Sequence, residues 1–180
     1  MEMRRYIRFI PNILSTCRLG IACVFPFSPE EIWIWLIIAG GCSDFLDGWV
    51  ARRWQVATWQ GGLLDAIADK TFILSVLITL VGAGRFPAWW IPAVIARDLT
   101  VACAAGYALY NRLWGSFRRM EARWSGKLAT GGQFLFLILV VLLPSLPPMV
   151  LFLAVLLSLY AAYDYGSLFV RALRQRAEQQ

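Results

Sequence analysis

Apolar residues run along this chain in long blocks, broken by charge clusters or by Pro and Gly. A bilayer span needs about 20 mainly apolar residues, and the blocks predict six helical spans, at about 9–27, 31–50, 61–83, 87–110, 125–145 and 147–170. The fifth and sixth are the clearest. Phe134–Leu143 and Met149–Leu157 are nearly unbroken apolar runs, and Pro144, Pro147 and Pro148 between them mark a compact hairpin. The first is the weakest, because Arg18 falls inside it. Pro11, Asn12 and Arg18 also interrupt any signal-peptide core, so a cleaved leader is not expected.

Composition agrees with this pattern. Apolar residues make up 59% of the 180 residues and charged ones 16%, against about 45–50% and about 25% in soluble globular domains. That argues against a soluble domain, and the apolar content excludes intrinsic disorder. The expectation is an all-α integral membrane protein of six transmembrane helices, with residues 1–180 forming a single membrane domain.

Charge then orients it. Thirteen of the seventeen basic residues, namely Arg4, Arg5, Arg8, Arg52, Arg53, Arg112, Arg118, Arg119, Arg123, Lys127, Arg171, Arg174 and Arg176, fall before span 1 or after spans 2, 4 and 6. The connections on the other side carry only Arg85. The positive-inside rule places both termini in the cytoplasm, N-in and C-in, in agreement with an even number of spans. The net charge of +6 is read as basic loops against an anionic leaflet rather than a nucleic-acid surface. Trp33, Trp35, Trp89 and Trp90 fall at the opposite ends of the spans, where an aromatic belt is expected. Cys17, Cys23, Cys42 and Cys103 form no C-x-x-C pair and are expected as buried apolar side chains. There is no His, so any metal would be held by oxygen.

The acidic residues carry the chemistry. Four of the six aspartates, Asp44, Asp47, Asp65 and Asp69, lie at the adjoining ends of spans 2 and 3. Ionisable groups at membrane depth are costly and usually functional. On helices, the i,i+3 pair Asp44/Asp47 and the i,i+4 pair Asp65/Asp69 each project from one face. A short cytoplasmic turn containing Thr58, Gln60 and Gly61 would bring all four together. Four carboxylates in one place repel unless positive charge joins them, and two divalent cations, Mg²⁺ or Mn²⁺, balance four negative charges. Two-metal sites suit in-line displacement at phosphorus, so the expected substrate carries phosphate. Gly48 and Ala51 leave the face beside the carboxylates nearly bare, Gly61 does the same at the start of span 3, and Arg52 offers a planar fork for phosphate oxygens. The active site is therefore expected at the cytoplasmic end of helices 2 and 3.

Asp44, Asp47-Gly48, Ala51-Arg52, Gly61, Asp65 and Asp69 resemble the signature of the CDP-alcohol phosphatidyltransferase family at all eight defined positions. Pro11–Leu19, Ala96-Arg97-Asp98 and Ser125–Thr130 are similar to its first, fourth and fifth helices. The resemblance implies transfer of a phosphatidyl group from CDP-diacylglycerol to an alcohol with release of CMP. It further implies Asp44, Asp47, Asp65 and Asp69 as the metal-site residues, the first three mainly as ligands and Asp69 also as the general base close to the metals. Gly48, Ala51 and Arg52 would contact the nucleotide and diphosphate, with Gly61 beside them, and Asn12 and Arg18 are candidates for binding the same nucleotide lipid. Arg97, Arg112, Arg118, Arg119, Arg123 and Lys127 are candidates for an acceptor phosphate. Glycerol-3-phosphate, giving phosphatidylglycerophosphate, ranks slightly ahead of phosphatidylglycerol, whose use would make this a cardiolipin synthase, as Ala96-Arg97-Asp98 and Tyr160–Tyr165 also suggest. The expected location is the bacterial inner membrane. A homodimer is usual in the family, and the small residues Ala102, Ala104, Ala105, Gly106 and Ala108 would allow close packing.

Blander readings stand beside these. The four aspartates could be helix-end charges facing water, Arg53 a membrane anchor, Arg97 and Asp98 an intramembrane structural pair, and Lys70 an offset to local negative charge. From another class, a cation transporter would also carry intramembrane carboxylates, but along a path through the bilayer rather than at one edge.

Overall fold

The computed structural model describes residues 9–54, 59–110, 124–143, 145 and 148–177, with backbone alone at 51–52, 59–60, 108–109, 124–125, 172 and 175–177. Among the described residues the regular structure is helical. Its α-helices are α1 (Ile10–Val24), α2 (Glu30–Arg53), α3 (Trp59–Gly82), α4 (Ile91–Val94), α5 (Ala96–Tyr110), α6 (Trp124–Leu142) and α7 (Pro148–Ala177). Each predicted span contains helix, and the fourth is broken into α4 and α5, which meet at 58°. The break falls at Ile95, whose φ of −99° and ψ of 13° leave the α region.

By length and apolarity, two described helices qualify as membrane spans, Ile10–Phe27 and Pro148–Arg171, and a third does if the bent pair counts as one. Gly126–Leu142 is apolar but shorter. Every stretch of α3 long enough to cross includes Asp65, Asp69 and Lys70. The residues that announce chemistry are the same ones that weaken the signal of a span.

The chain divides into two compact units, residues 1–86 with 140–144, and residues 87–139 with 145–180. In the first, α1 packs against both α2 and α3. Pro11 sits at the start of α1, where its missing N–H costs nothing. Ser15, Arg18 and Ala22 form the buried stripe of α1 at helical spacing. Between helices in lipid, association depends on close packing and on hydrogen bonds rather than on a hydrophobic drive. Both occur here. The Ser75 hydroxyl of α3 donates to the Ala22 carbonyl of α1 at 2.6 Å, and Phe72, Ile73, Val76, Leu77 and Leu80 of α3 are buried. The Phe72 ring occupies the space where a Cβ on Gly40 of α2 would stand.

Pro26 helps end α1 in a 3₁₀ turn at Phe25–Phe27. Phe25 stacks on Trp33 at 5.8 Å, and the Trp33 indole N–H donates to the Ser28 carbonyl at 3.0 Å. Trp33 is buried, whereas Trp35 and Trp89 are exposed, so Trp33 departs from the expected belt because its indole knits this turn. The expectation for the cysteines is also corrected. Cys17, Cys23, Cys42 and Cys103 all lie on outward faces, where a small apolar thiol needs no protein packing. At the end of α3, Gly84 adopts φ 71°. The Arg85 N–H then reaches the Leu80 carbonyl at 2.9 Å, a left-handed cap that a side-chain-bearing residue adopts poorly.

In the second unit α7 packs along α5 and α4. Gly132 of α6 leaves room for Leu157 of α7, and Tyr107 meets Phe169 edge-on at 5.8 Å. Of the small residues on α5, Ala104 is buried while Ala102 and Gly106 are exposed.

A candidate metal centre closed by a buried arginine

The first unit gathers three carboxylates. Asp44 and Asp47 project from one face of α2 and Asp65 from α3, each offering an oxygen so that all three lie within 4.8 Å of one another. Asp47 is 2% exposed, whereas the side chains of Asp44 and Asp65 are 32% and 40% exposed. One edge of the triad is therefore sealed and the other open.

The sealed edge is Arg18 of α1, which is fully buried. Its Nη1 lies 3.0 Å from Asp44 Oδ1 and 3.0 Å from Asp65 Oδ1, and its Nη2 lies 2.6 Å from Asp47 Oδ2. Its Nε donates to Ser43 Oγ at 3.1 Å, and the Ser43 hydroxyl donates onward to the Gly40 carbonyl at 2.8 Å. A charge this deep is tolerable only when paired and hydrogen-bonded, and the planar guanidinium meets three carboxylates at once because its donors are fixed in a fork.

One cation does not balance three anions. The sum of the triad and Arg18 is two negative charges, and Asp47 Oδ1 is buried without a hydrogen-bond partner. An orphaned carboxylate oxygen costs free energy that a bound cation recovers. The donor set is all oxygen, which suits a hard divalent ion. The site therefore fits a metal ion, with Asp44, Asp47 and Asp65 as the residues able to hold it.

Asp69 stands apart from the triad. It lies one turn beyond Asp65 on α3, within electrostatic reach of Asp44. Lys70 donates to its Oδ2 at 2.7 Å, as the charge-offset reading of Lys70 expects, while its Oδ1 is buried without a partner. Four converging carboxylates thus resolve into three that share an ion-sized space and a fourth beside it.

The family profile described as CDP-alcohol phosphatidyltransferase matches residues 8–160. The chain belongs to the CDP-alcohol phosphatidyltransferase family. It is similar to the probable phosphatidylglycerophosphate synthase of Mycobacterium tuberculosis, 34% identical over 95% of this chain and 85% of that protein. It is also similar to the CDP-diacylglycerol--glycerol-3-phosphate 3-phosphatidyltransferase of Pectobacterium atrosepticum, 25% identical over 87% of this chain and 92% of that one. The cardiolipin synthase (CMP-forming) of Streptomyces coelicolor is 37% identical over 54% of this chain, which spans only 50% of that relative.

The other residues singled out for this transferase fall into three groups. Gly48 follows Asp47 on α2 and Gly61 stands near the start of α3, both half-buried; Ala51 and Arg52 continue α2 beside them, their side chains lying outside the described residues. Asn12 is half-buried on α1, and its carbonyl accepts from the Thr16 hydroxyl at 2.8 Å. Arg112, Arg118, Arg119 and Arg123 lie outside the described residues, and Lys127 is exposed on α6.

Arg97 lies in the second unit within a polar network. Its Nη1 contacts Asp98 Oδ1 and Thr130 Oγ1 at 3.1 Å each, its guanidinium lies 5.5 Å from the Tyr165 ring centre, and its backbone N–H donates to Ser158 Oγ at 3.3 Å. Gly126 of α6 is bare where a Cβ would meet the Tyr165 hydroxyl and Arg97 Nη2. Arg97 and Asp98 are thus paired.

Sequence reasoning missed that Arg18 closes the carboxylate triad. Its signal was present: an arginine inside an apolar span requires an acidic partner, and the uncommitted acids nearest in kind were the aspartates of the motif.

Proposed function

We propose that this protein transfers a phosphatidyl group from CDP-diacylglycerol to glycerol-3-phosphate, releasing CMP and giving phosphatidylglycerophosphate. The observation that carries the reading is the complete eight-position motif whose first three aspartates converge to within 4.8 Å with an orphaned oxygen among them. The choice of glycerol-3-phosphate is supported by the mycobacterial relative, which matches along almost the whole chain. Use of phosphatidylglycerol as acceptor is the second reading, favoured by the likeness to the Streptomyces cardiolipin synthase.

In this reading Asp44, Asp47 and Asp65 hold two divalent cations, Mg²⁺ or Mn²⁺, and Asp69 borders them. The cations, when bound, supply Lewis-acid stabilisation of charge on the diphosphate. Arg52 grips phosphate oxygens through its fork, and Gly48, Ala51 and Gly61 let the nucleotide approach the helix backbones. The acceptor hydroxyl gives its proton to Asp69, whose Oδ1 carries no hydrogen bond while Lys70 holds its Oδ2. Its oxygen bonds to the phosphorus nearest the diacylglycerol while the bond from that phosphorus to the CMP oxygen breaks. Arg97, Lys127 and the basic residues at 112–123 attract the acceptor's phosphate. The basic-residue pattern supports a bacterial inner-membrane protein with both termini in the cytoplasm, the continuous family match supports one catalytic domain, and assembly as a homodimer belongs to the same reading.

The test is incubation of purified protein in nanodiscs with CDP-diacylglycerol, Mg²⁺ or Mn²⁺ and parallel acceptors, read by lipid mass spectrometry. Phosphatidylglycerophosphate with stoichiometric CMP is expected; cardiolipin from phosphatidylglycerol alone selects the second reading, and no product with any acceptor overturns both. Asp69→Asn is expected to lower kcat by about 10²–10⁴-fold, the usual contribution of a general base; an unchanged rate removes Asp69 from that role.

A further inference from the structure

We propose that Arg18 is a positioning residue: it grips one oxygen of each carboxylate in the triad and so presets their remaining oxygens for divalent cations. This rests on the metal reading given above. The geometry distinguishes it from a simple stand-in for a cation. Arg18 engages Asp44 Oδ1, Asp65 Oδ1 and Asp47 Oδ2, while Asp47 Oδ1 is left buried and unpaired. An ion in competition with Arg18 would need the same oxygens; an ion held in cooperation with it uses those left over. Arg18 is itself fixed from behind, through Ser43 Oγ and the Gly40 carbonyl, by groups that belong to α2 rather than to the triad. Three anions from two helices thus converge before any ion arrives, because α1 supplies a buried cation with no solvent route out.

Electrostatics alone predicts the opposite of this proposal. Removing a positive charge makes the site more negative and should tighten metal binding, whereas losing the scaffold releases three mutually repelling carboxylates and should weaken it. Groups that orient metal ligands are worth about 10–100-fold in metal affinity when mutated, so the scaffold is expected to win.

The experiment is Mn²⁺ binding to the full chain in nanodiscs, followed by electron paramagnetic resonance without substrate. Wild type is expected to bind Mn²⁺ with a resolved bound spectrum. Arg18→Met should bind about 10–100-fold more weakly with a broadened spectrum, and Arg18→Lys, which keeps the charge but not the fork, should fall between. Ser43→Ala, which leaves every charge in place, guards against a misfolded Arg18 variant; it should weaken binding roughly threefold through loss of one hydrogen bond. In the Arg18→Met background the same change should add nothing. Equal or tighter Mn²⁺ binding by folded Arg18→Met, or no effect of Ser43→Ala, overturns the positioning role while leaving the metal site standing. Failure of wild type itself to bind Mn²⁺ overturns the metal reading, and the proposal with it.

Discussion

Each unit of this protein pairs an arginine with acid, and the two environments differ. Arg18 is fully enclosed, meets three carboxylates and a serine, and leaves an excess of negative charge with an unpaired oxygen. Arg97 is 20% exposed, meets one carboxylate, a threonine hydroxyl and a tyrosine ring, and keeps its own Nε unpaired. In the first cluster the unmet need is for further positive charge; in the second it is for an acceptor, the need of a guanidinium facing an anion. An arginine paired with acid by itself therefore says little about function. The sign of what its surroundings leave unsatisfied says more.

The strongest way to break this contrast is at Asp47. Asp47→Asn removes the most buried carboxylate of the triad; under the proposed metal role, charge stabilisation of several kcal/mol corresponds to a rate loss on the order of 10³-fold, read as CMP release. A smaller effect separates the two arginines. Arg97→Met should leave Mn²⁺ affinity within about twofold of wild type, since Arg97 takes no part in the triad, while raising the KM for a phosphorylated acceptor about tenfold through loss of a charge-assisted contact. A comparable shift in Mn²⁺ affinity for both arginine variants would erase the distinction. Next is the packing that sets the spacing of α2 and α3. Gly40→Ala places a methyl group against the Phe72 ring and should cost about 1–3 kcal/mol, read as a lower melting temperature and partly restored by Phe72→Leu. The smallest change is expected at the exposed pair of Glu30 and Arg85, 2.6 Å apart with Glu30 57% exposed. Glu30→Gln should shift stability by at most about 1 kcal/mol, less in high salt.

Much of this was legible in the chain. Six apolar blocks gave six helical regions, and the aspartate spacings placed Asp44 with Asp47 on one face of α2. Helical periodicity works over three or four residues, and these inferences needed nothing longer. Arg18 lies 29 residues from Asp47 and 47 from Asp65, so its partners depended on how three helices pack, which no local spacing encodes. Trp33 resembled a belt residue for the same reason, since its position at a span end is local and its stacking on Phe25 is not. Asp69 was grouped with the other acids because i,i+4 puts it on the face of Asp65; that Lys70 would hold one of its oxygens was expected only as a general offset of charge.

The outward placement of all four cysteines gives the molecule a set of native probes. Cys17 and Cys23 lie on α1, Cys42 on α2 two residues before Asp44, and Cys103 on α5. A thiolate reacts with maleimides only where water reaches it, so a charged, bilayer-impermeant reagent would read the depth of each helix against the membrane surface without any engineered label. Cys42 sits nearest the carboxylates in sequence, and its labelling rate would report whether the ends of α2 and α3 that carry them open to water.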